Sequence, residues 1–336
     1  MPTFSDIKAR MRLPLIGSPL FIVSYPELVA AQCKAGIVGS FPALNARPEG
    51  ELVKWIEFLN EELAKWDRDN PDRPSAPYAV NQIVHKSNTR LDDDMGVCVD
   101  YKVPLIISSL GARPEINDAV HGYGGLVLHD VINNRFAKKA IEKGADGLVA
   151  VAAGAGGHAG RLSPFALMQE IRDWFDGPVA LAGAISNGRS IVATQALGAD
   201  FAYAGTVFIA TEEAHASPAY KDAIVEHAAD DIIYTNFFTG VHGNYLRPSI
   251  EAAGIDPDVL QSGNPEQMKV LEYRSEGKSK AWKDIWGCGQ GIGAIDKVGT
   301  VAEVVDRMAH EYNAALADMK ALNAVRQRQI SGRNRP

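Results

Sequence analysis

The chain has 336 residues, of which 46% are hydrophobic and 22% charged, and these values exclude a disordered or a fibrous protein. With 34 basic and 41 acidic residues the formal net charge is −7, which argues against nucleic acid as the main partner. The length suits one large α/β barrel with an appended lobe.

Targeting, membrane and cysteine signals are weak in this sequence. The first eleven residues contain no apolar core of the signal-peptide type, and no apolar run approaches about 20 residues. We therefore expect a cytoplasmic protein without membrane contact. Cys33, Cys98 and Cys288 are too far apart to indicate a disulfide framework or a zinc pattern. The basic cluster between Arg326 and Arg335 is better explained as a solvated end than as a binding arm.

Short apolar runs alternate with longer amphipathic stretches from Leu13 to Thr206, which is typical of βα units around a parallel sheet. Eight runs are predicted as strands, over 15–23, 37–41, 78–83, 103–108, 125–129, 147–152, 179–182 and 201–204. Eight strands close a (β/α)8 or TIM barrel, whereas an open flavodoxin-like sheet needs only five. The sequence therefore predicts the α/β class and the TIM barrel within it.

Helices are predicted between these strands, over 26–34, 136–143, 165–175 and 190–197. One further helix is indicated by an apolar stripe of helical spacing, formed by Leu52, Trp55, Ile56, Leu59 and Leu63. Two segments, 142–147 and 196–201, share one design, in which a helix ends at a glycine and a buried strand follows an aspartate. This repeat favours a barrel of duplicated units.

The pattern changes after the eighth predicted strand. Residues 212–286 are richer in polar residues and prolines, and they predict a mainly helical substrate lobe that covers the barrel mouth. The barrel itself would comprise 1–211 and 287–336, closed by a helix over 301–322. Five aromatic residues of the lobe could line a substrate pocket or form the lobe's own core, and the core is favoured: Tyr234, Phe237, Phe238, Tyr245 and Trp282.

Glycines follow the seventh and eighth predicted strands, where TIM barrels commonly bind phosphate groups. Gly183-Ala184 and Gly205-Thr206 would offer backbone N–H groups without bulky side chains, and the helix that begins near Gly188 would add a favourable dipole. Either loop alone could simply end a strand. The two together favour a phosphate site.

Four glycines lie among the seven residues 154–160 that follow the sixth predicted strand. A flat ring could lie against such a backbone, and His158 would be the one titratable group beside it, suited to proton transfer or anion contact near neutral pH. A lone histidine is more often structural, but this position favours a functional one. Asn81, at the end of the third strand, could bind a heterocycle edge or turn a loop, and both readings stay open.

Metal and common nucleotide motifs are missing from the sequence. His129, Asp130, His242 and the pair Glu212-Glu213 match no standard metal-ligand spacing. There is no nucleophile elbow, no Walker A loop and no dinucleotide fingerprint after the first strand, which disfavours hydrolase, NTPase and Rossmann dehydrogenase functions. The glycine-rich segment 286–293 could provide close backbone approach or act as a hinge.

The order of these motifs resembles the nitronate monooxygenase family, formerly called 2-nitropropane dioxygenases. The motifs are Ser18-Pro19-Leu20, Val80-Asn81-Gln82, Gly156-Gly157-His158-Ala159-Gly160, Gly183, the segment 204–211 and Gly289-Gln290-Gly291-Ile292-Gly293. Each motif alone is modest, but their order and spacing are specific, and the resemblance covers nearly the whole chain.

The resemblance implies a TIM barrel that binds FMN non-covalently. By this similarity the phosphate would be held by Gly183, Ala184, Gly205 and Thr206, and the flavin ring would meet the backbone of Ser18, Pro19 and Leu20 together with Asn81, Gly156, Gly157 and Gln290. His158 matches the family's active-site histidine. Many relatives carry a methionine in place of Leu20 and a basic or hydroxyl residue near Asp130. Such departures concern the substrate more than the cofactor.

The reaction that the resemblance implies is oxidation of alkyl nitronates by FMN and O2 to a carbonyl compound and nitrite. An alternative is an NAD(P)H-dependent flavin reductase that acts on a quinone or an enoyl thioester. A third hypothesis is a flavin-free barrel that binds another phosphate ligand, since fold does not determine function. The sequence leaves the oligomeric state open, and a homodimer is one option.

Overall fold

The computed structural model describes residues 3–262 and 284–333, in which we number strands and helices in chain order. The strands are β1 Leu15–Gly17, β2 Gly39–Pro42, β3 Tyr78–Ile83, β4 Leu105–Ser109, β5 Leu126–Val131, β6 Gly147–Val151, β7 Gly157–His158, β8 Val179–Ala182, β9 Phe201–Ala204, β10 Ile232–Thr235 and β11 Gly243–Leu246. The α-helices are α1 Phe4–Ala9, α2 Pro26–Lys34, α3 Glu51–Asp69, α4 Leu91–Asp100, α5 Pro114–Gly122, α6 Asn134–Glu142, α7 Pro164–Arg172, α8 Gly188–Ala196, α9 Thr206–Ile209, α10 Pro218–Glu226, α11 Arg247–Ala252, α12 Pro257–Ser262 and α13 Val301–Arg333.

The predicted TIM barrel is confirmed. Eight parallel strands form one sheet in the order β1-β9-β8-β6-β5-β4-β3-β2. Its two ends meet, because the N–H of Gly17 donates to the Val38 oxygen at 2.7 Å and the N–H of Val38 donates to the Leu15 oxygen at 3.2 Å. The sheet is therefore closed between β1 and β2. None of the described helices is long and apolar enough to cross a membrane.

Three strand predictions match the structure at both ends, those over 78–83, 179–182 and 201–204. The first prediction, 15–23, is too long, because β1 ends at Gly17. The chain then turns, with the N–H groups of Val23 and Ser24 both donating to the Leu20 oxygen. The Asn45 side chain holds this turn from outside by accepting a hydrogen bond from Ile22 N–H at 2.8 Å. An apolar run was thus mistaken for a strand because a distant side chain stabilises the turn.

The helical stripe of α3 packs as the sequence predicts, since Leu52, Trp55, Ile56, Leu59 and Leu63 are all buried. They belong to an outer core layer between the sheet and its helices. A separate cluster fills the barrel interior with alternate residues of the strands, including Ala79, Ile107, Leu128 and Val149. The barrel is therefore a packed core below its mouth, and not a channel.

The described part of 212–286 contains two strands that the sequence analysis did not predict. β10 and β11 form an antiparallel hairpin, and the two-residue strand β7 adds to its other edge. The helices α10, α11 and α12 flank this sheet in the chain. Phe237, Phe238 and Tyr245 pack in the lobe's own cluster, as favoured from the sequence, whereas Tyr234 packs against the barrel interior. Trp282 lies outside the described residues.

Candidate active site

A polar layer lies above the apolar interior of the barrel. Asn81 and Ser109 stand two residues beyond Ala79 and Ile107, which belong to the interior cluster. Because side chains alternate along a strand, both point into the barrel at the carboxyl ends of β3 and β4. Barrel active sites lie at this end of the strands. The layer is therefore the floor of a candidate active site.

Asn81 is buried and held firmly in this layer. Its Nδ2 donates to the Ile107 oxygen at 2.9 Å and to the Ser109 hydroxyl at 2.7 Å, so both amide hydrogens are used. Its Oδ1 accepts no hydrogen bond from the residues that the structure describes. The amide is pre-oriented by the protein, and its oxygen remains for the N–H of a ligand.

Asp130 belongs to the same layer, although the sequence analysis rejected it as a metal ligand and otherwise noted only that many relatives carry a basic or hydroxyl residue near it. It stands two residues beyond the interior Leu128 on β5 and is partly exposed. Burial raises the pKa of its carboxyl group to about 6, and the nearby Ser109 hydroxyl and Leu110 N–H only partly oppose this rise. Across the barrel, burial and the charge of Asp130 raise the pKa of Tyr203. Among the described residues no cluster of three potential metal ligands exists.

The loops after β8 and β9 have glycines at positions where a side chain would be crowded by its neighbours. A Cβ on Gly183 would lie 2.7 Å from the Ala153 oxygen, and the residue has φ +142°, which favours glycine. A Cβ on Gly205 would lie 3.0 Å from Leu20 Cδ2 and 3.4 Å from Ser18 Cβ. The segment 18–20, predicted to meet the flavin ring, and Gly205, predicted to hold the phosphate, are therefore neighbours at the barrel mouth.

The N-terminus of α8 differs from the sequence prediction. It was expected to help bind a ligand anion, but Gly188 N–H donates to the Glu311 carboxylate of α13 at 2.8 Å, and the Asn187 side chain accepts from Ser190 N–H at 2.8 Å. The protein's own carboxylate thus takes the place beside the helix dipole. This terminus is not free for a phosphate.

The glycine loop 154–160 is held by the lobe. Asn244 of β11 donates from Nδ2 to the Ala155 oxygen at 2.6 Å and pairs with Gly157. Ala159 N–H donates to the His242 oxygen at 3.2 Å, and the Tyr234 hydroxyl donates to the Ala159 oxygen at 3.1 Å. Nothing in the local sequence signals these contacts, which join positions far apart in the chain.

A second partner of this loop is the segment at Gly289. The Gly154 oxygen accepts from Gln290 N–H at 2.9 Å and from Ala184 N–H at 3.2 Å, which ties the loop to the end of β8. Gly289 N–H donates to the Thr206 hydroxyl at 2.9 Å. A Cβ on Gly289 would lie 2.7 Å from the Gly154 oxygen. The glycines of 286–293 are thus explained by close backbone approach, one of the two alternatives left open by the sequence.

His158 stands on β7, at the edge of the lobe sheet, with its ring exposed to solvent. Its Nε2 lies 3.1 Å from the Thr239 hydroxyl oxygen, which also lies 3.0 Å from the Val241 carbonyl. Surrounding protein lowers the pKa of the imidazole by desolvation, although the ring keeps access to water. At neutral pH the ring is therefore uncharged and can accept or donate a proton.

The predicted site residues thus fall into two connected groups. Ser18, Leu20, Gly205 and Thr206 meet at the ends of β1 and β9, while Gly154 brings Ala184 and Gln290 together. The hydrogen bond between Gly289 and Thr206 joins the groups. Pro19 lies in the turn after β1, and Asn81 lies in the floor of the mouth. Asp130, Thr239 and Asn244 were missed, and of these only Asp130 carried a signal, its place at a strand end.

A family model described as nitronate monooxygenase matches residues 4–311 of the chain. The chain belongs to the nitronate monooxygenase family. It is therefore an enzyme, a flavin-dependent oxidoreductase, as the sequence motifs predicted. The match covers all eight barrel strands and the segment 212–286.

The aligned fraction differs among the proteins that are similar to this chain. A nitronate monooxygenase of Paraburkholderia phytofirmans is 27% identical over 91% of this chain and 94% of its own. A Mycobacterium tuberculosis protein named as a monooxygenase is 28% identical, over 68% of this chain and 64% of its own length, which is less than two thirds of it. Among solved structures, FabK from Thermotoga maritima superposes with a TM-score of 0.77 at 25% identity, over 96% of this chain and 99% of its own.

Proposed function

We propose that this enzyme uses FMN and O2 to oxidise alkyl nitronates to a carbonyl compound and nitrite. Family membership and the nearly full-length similarity to a nitronate monooxygenase support this reaction. The observation that carries it is the placement of His158: an accessible, uncharged imidazole held by Thr239 beside a backbone with few side chains.

The residues at the mouth fit a flavin mononucleotide. The side-chain-free faces of Gly183 and Gly205 lie at neighbouring strand ends, where the first N–H groups of α9 have no partner within the helix. The Ser186 hydroxyl, two residues beyond Ala184, is buried without a hydrogen-bond partner among the described residues. In our proposal Gly183, Ala184, Gly205 and Thr206 hold the phosphate.

The flavin ring, in the same proposal, contacts the backbone of Ser18, Pro19 and Leu20, the Asn81 amide, and the loop with Gly156, Gly157 and Gln290. When bound, FMN supplies the oxidation–reduction chemistry. Asn81 offers its free Oδ1 to an N–H of the ring, because its amide hydrogens are already committed. Gly156 packs on the Gly289 backbone, so this part of the loop is held against the barrel.

His158 would act differently on the two forms of a nitro compound. A neutral nitroalkane must lose its α-proton, and the lowered pKa keeps the imidazole able to accept it at neutral pH. A nitronate has already lost this proton, so the ring would serve it by donating a hydrogen bond. The base function is present above the ordinary histidine pKa and is lost as the pH falls through the lowered value.

Replacing His158 by asparagine tests this assignment. We expect His158→Asn to lower kcat/KM for a neutral nitroalkane by about 100-fold or more, the usual contribution of a general base, and that for the matching nitronate by less than about tenfold. His310→Asn, at an exposed position on α13, is the control and should leave both values unchanged. Equal losses on the two substrates would contradict the base role.

A second candidate is the NAD(P)H-dependent reductase of a quinone or enoyl thioester. Asp130 favours it, because a carboxylate in the mouth disfavours an anionic nitronate. Anaerobic mixing with NADH or NADPH distinguishes the two candidate functions by the change in flavin absorbance at about 450 nm. Bleaching by the nicotinamide supports the reductase, whereas bleaching by a nitronate alone supports the monooxygenase.

A further inference from the structure

Asp130 has no charged partner among the residues that the structure describes. No lysine, arginine or histidine of these residues forms an ion pair with it, and its carboxyl group interacts with the Ser109 hydroxyl and the Leu110 N–H, which leaves part of its acceptor capacity unused. Carboxyl groups that are partly removed from water are normally paired with a cation. The carboxyl group of Asp130 therefore stays available to a ligand that enters the barrel mouth.

The backbone beside Asp130 is also unusual. Leu110 has φ +59°, in the left-handed region that is rare for a leucine, and its side chain is 44% exposed. Non-glycine residues in this region cost about 1 kcal/mol or more and persist where surrounding structure holds them, often at functional sites. This conformation keeps the Leu110 N–H near the carboxyl group.

Among the described residues, the groups that act on the Asp130 carboxyl come from β4 and β9. They are Ser109 at the end of β4, Leu110 directly after it, and Tyr203 of β9. Of these described groups only Tyr203 can titrate, and burial keeps it neutral by raising its pKa. His129, on the same strand, points to the opposite face because side chains alternate. The local field at this side of the mouth is therefore set by the ionisation of Asp130.

We propose that Asp130 is a specificity-determining residue that makes the barrel mouth prefer neutral substrates to anionic ones. This inference rests on the proposed function for the identity of the anion, a nitronate. A carboxylate and a nitronate in one low-dielectric mouth repel each other, whereas a protonated carboxyl group can donate a hydrogen bond to the same nitronate oxygen. A neutral nitroalkane of the same carbon skeleton escapes this repulsion.

The selection depends on pH in a defined direction. Burial raises the pKa of Asp130 to about 6, so the carboxyl group is protonated in mild acid and ionised above neutrality. Affinity for an anion should therefore fall as the pH rises through this value. His158 contributes a slope of the same sign, since its protonated form attracts anions, and the test must separate the two groups.

The test uses nitrite as an anionic probe and the visible spectrum of the flavin enzyme as the readout. We compare four proteins: wild type, Asp130→Asn, His158→Asn and the double variant. Between about pH 5 and about pH 8, nitrite affinity should fall by about tenfold or more in His158→Asn, since one pKa unit of coupling is tenfold, and stay constant in the double variant. The same slope in both would overturn the inference. Asp130→Ser replaces Asp130→Asn if the latter does not fold.

Steady-state kinetics distinguish a failure of this inference from a failure of the proposed function. At about pH 7.5, more than one unit above the carboxyl pKa, Asp130→Asn should raise the ratio of kcat/KM for a nitronate to kcat/KM for the neutral nitroalkane by about tenfold. If no variant oxidises either compound, the proposed function fails while the nitrite titration still decides the role of Asp130. If this ratio is unchanged in Asp130→Asn, the inference fails and the proposed function stands.

Discussion

The loops after β8 and β9 are held by the barrel itself, whereas the loop that carries His158 is held by the lobe. Gly205 packs on Ser18 and Leu20 at the end of the adjacent strand β1. Ala155 and Gly157, in contrast, are held by Asn244 of β11. The proposed cofactor side of the site therefore forms with the barrel, while the histidine side also needs the lobe to dock.

Substitutions in the lobe and substitutions in the barrel should therefore have different effects on the site. A change that loosens the lobe should displace His158 while leaving the strand-end loops in place, because the contacts between β1, β8 and β9 are those of the sheet. A change in the barrel should affect both sides. The junction between them is the Gly289 segment, which touches Gly154, Gly156 and Thr206.

The largest effect is expected from Gly289→Ala, which breaks this junction. The added methyl would lie 2.7 Å from the Gly154 oxygen and 2.9 Å from the Gly156 nitrogen, and neither backbone atom can move without shifting the loop. We expect a loss of about 1–3 kcal/mol of stability, typical of overpacking, and a fall of about 100-fold in kcat/KM, as reacting groups are misplaced.

Gly96→Ala is the matched control for that variant. Gly96 lies within α4, and a Cβ there meets no atom within 4 Å. Alanine should raise the free energy of unfolding by about 0.5–1 kcal/mol and leave activity unchanged. If Gly289→Ala behaved like Gly96→Ala in urea unfolding and in kinetics, the junction would not hold the loop.

Acid should weaken the barrel through His129, which lies outside the glycine loop. His129 on β5 is 3% exposed, its Nε2 is buried without a partner among the described residues, and burial lowers its pKa to about 4. Because the folded pKa is below the unfolded value, its contribution to stability is present above about pH 6.5 and is lost as the pH falls towards 4.

Between pH 7.5 and 4.5 this histidine alone should remove about 2–3 kcal/mol of the free energy of unfolding. His129→Gln, which cannot titrate, should lose less stability than the wild type by that amount. Urea unfolding of both proteins at the two pH values measures the difference. Equal losses in the two proteins would show that the acid sensitivity arises elsewhere.

A smaller effect is expected from Thr239→Val on the lobe side. The substitution removes the oxygen that lies 3.1 Å from His158 Nε2 and should lower kcat/KM for a neutral nitroalkane by about tenfold, with a change in its pH profile. Tyr245→Phe is the control, because the Tyr245 hydroxyl lies 3.5 Å from the Thr239 oxygen and should matter little. A flat response to both variants would mean that Thr239 does not orient the imidazole.

The smallest effect is expected on the barrel side, from Glu311→Gln. The carboxylate accepts from Gly188 N–H at the start of α8, and its charge there stabilises the helix by about 0.5–1 kcal/mol. Thermal unfolding should register this loss, while FMN affinity should not change. A tenfold change in FMN affinity would instead show that the N-terminus of α8 contributes to phosphate binding.

The sequence predicted best those elements whose local hydrophobic periodicity matches the side chains that are buried. β3, β8 and β9 have the predicted bounds, and the stripe of α3 is buried, because strand and helix periodicity report directly which side chains face the core. The conformations of the segment after Gly17 and of the hairpin 232–246 were not predicted from the sequence. In both, contacts from far along the chain decide the conformation, through Asn45 in one case and β7 in the other.

By itself the sequence determined the barrel, the family motifs and the identity of His158 and the strand-end glycines as candidates. This was possible because strand periodicity and motif spacing can be recognised from neighbouring residues in the sequence. The tertiary structure decided that Gly289 closes the glycine loop, that Glu311 occupies the α8 terminus, and that Asp130 faces the mouth with no charged partner in the described part of the chain. Each of these depends on which distant groups meet, and sequence spacing does not record that.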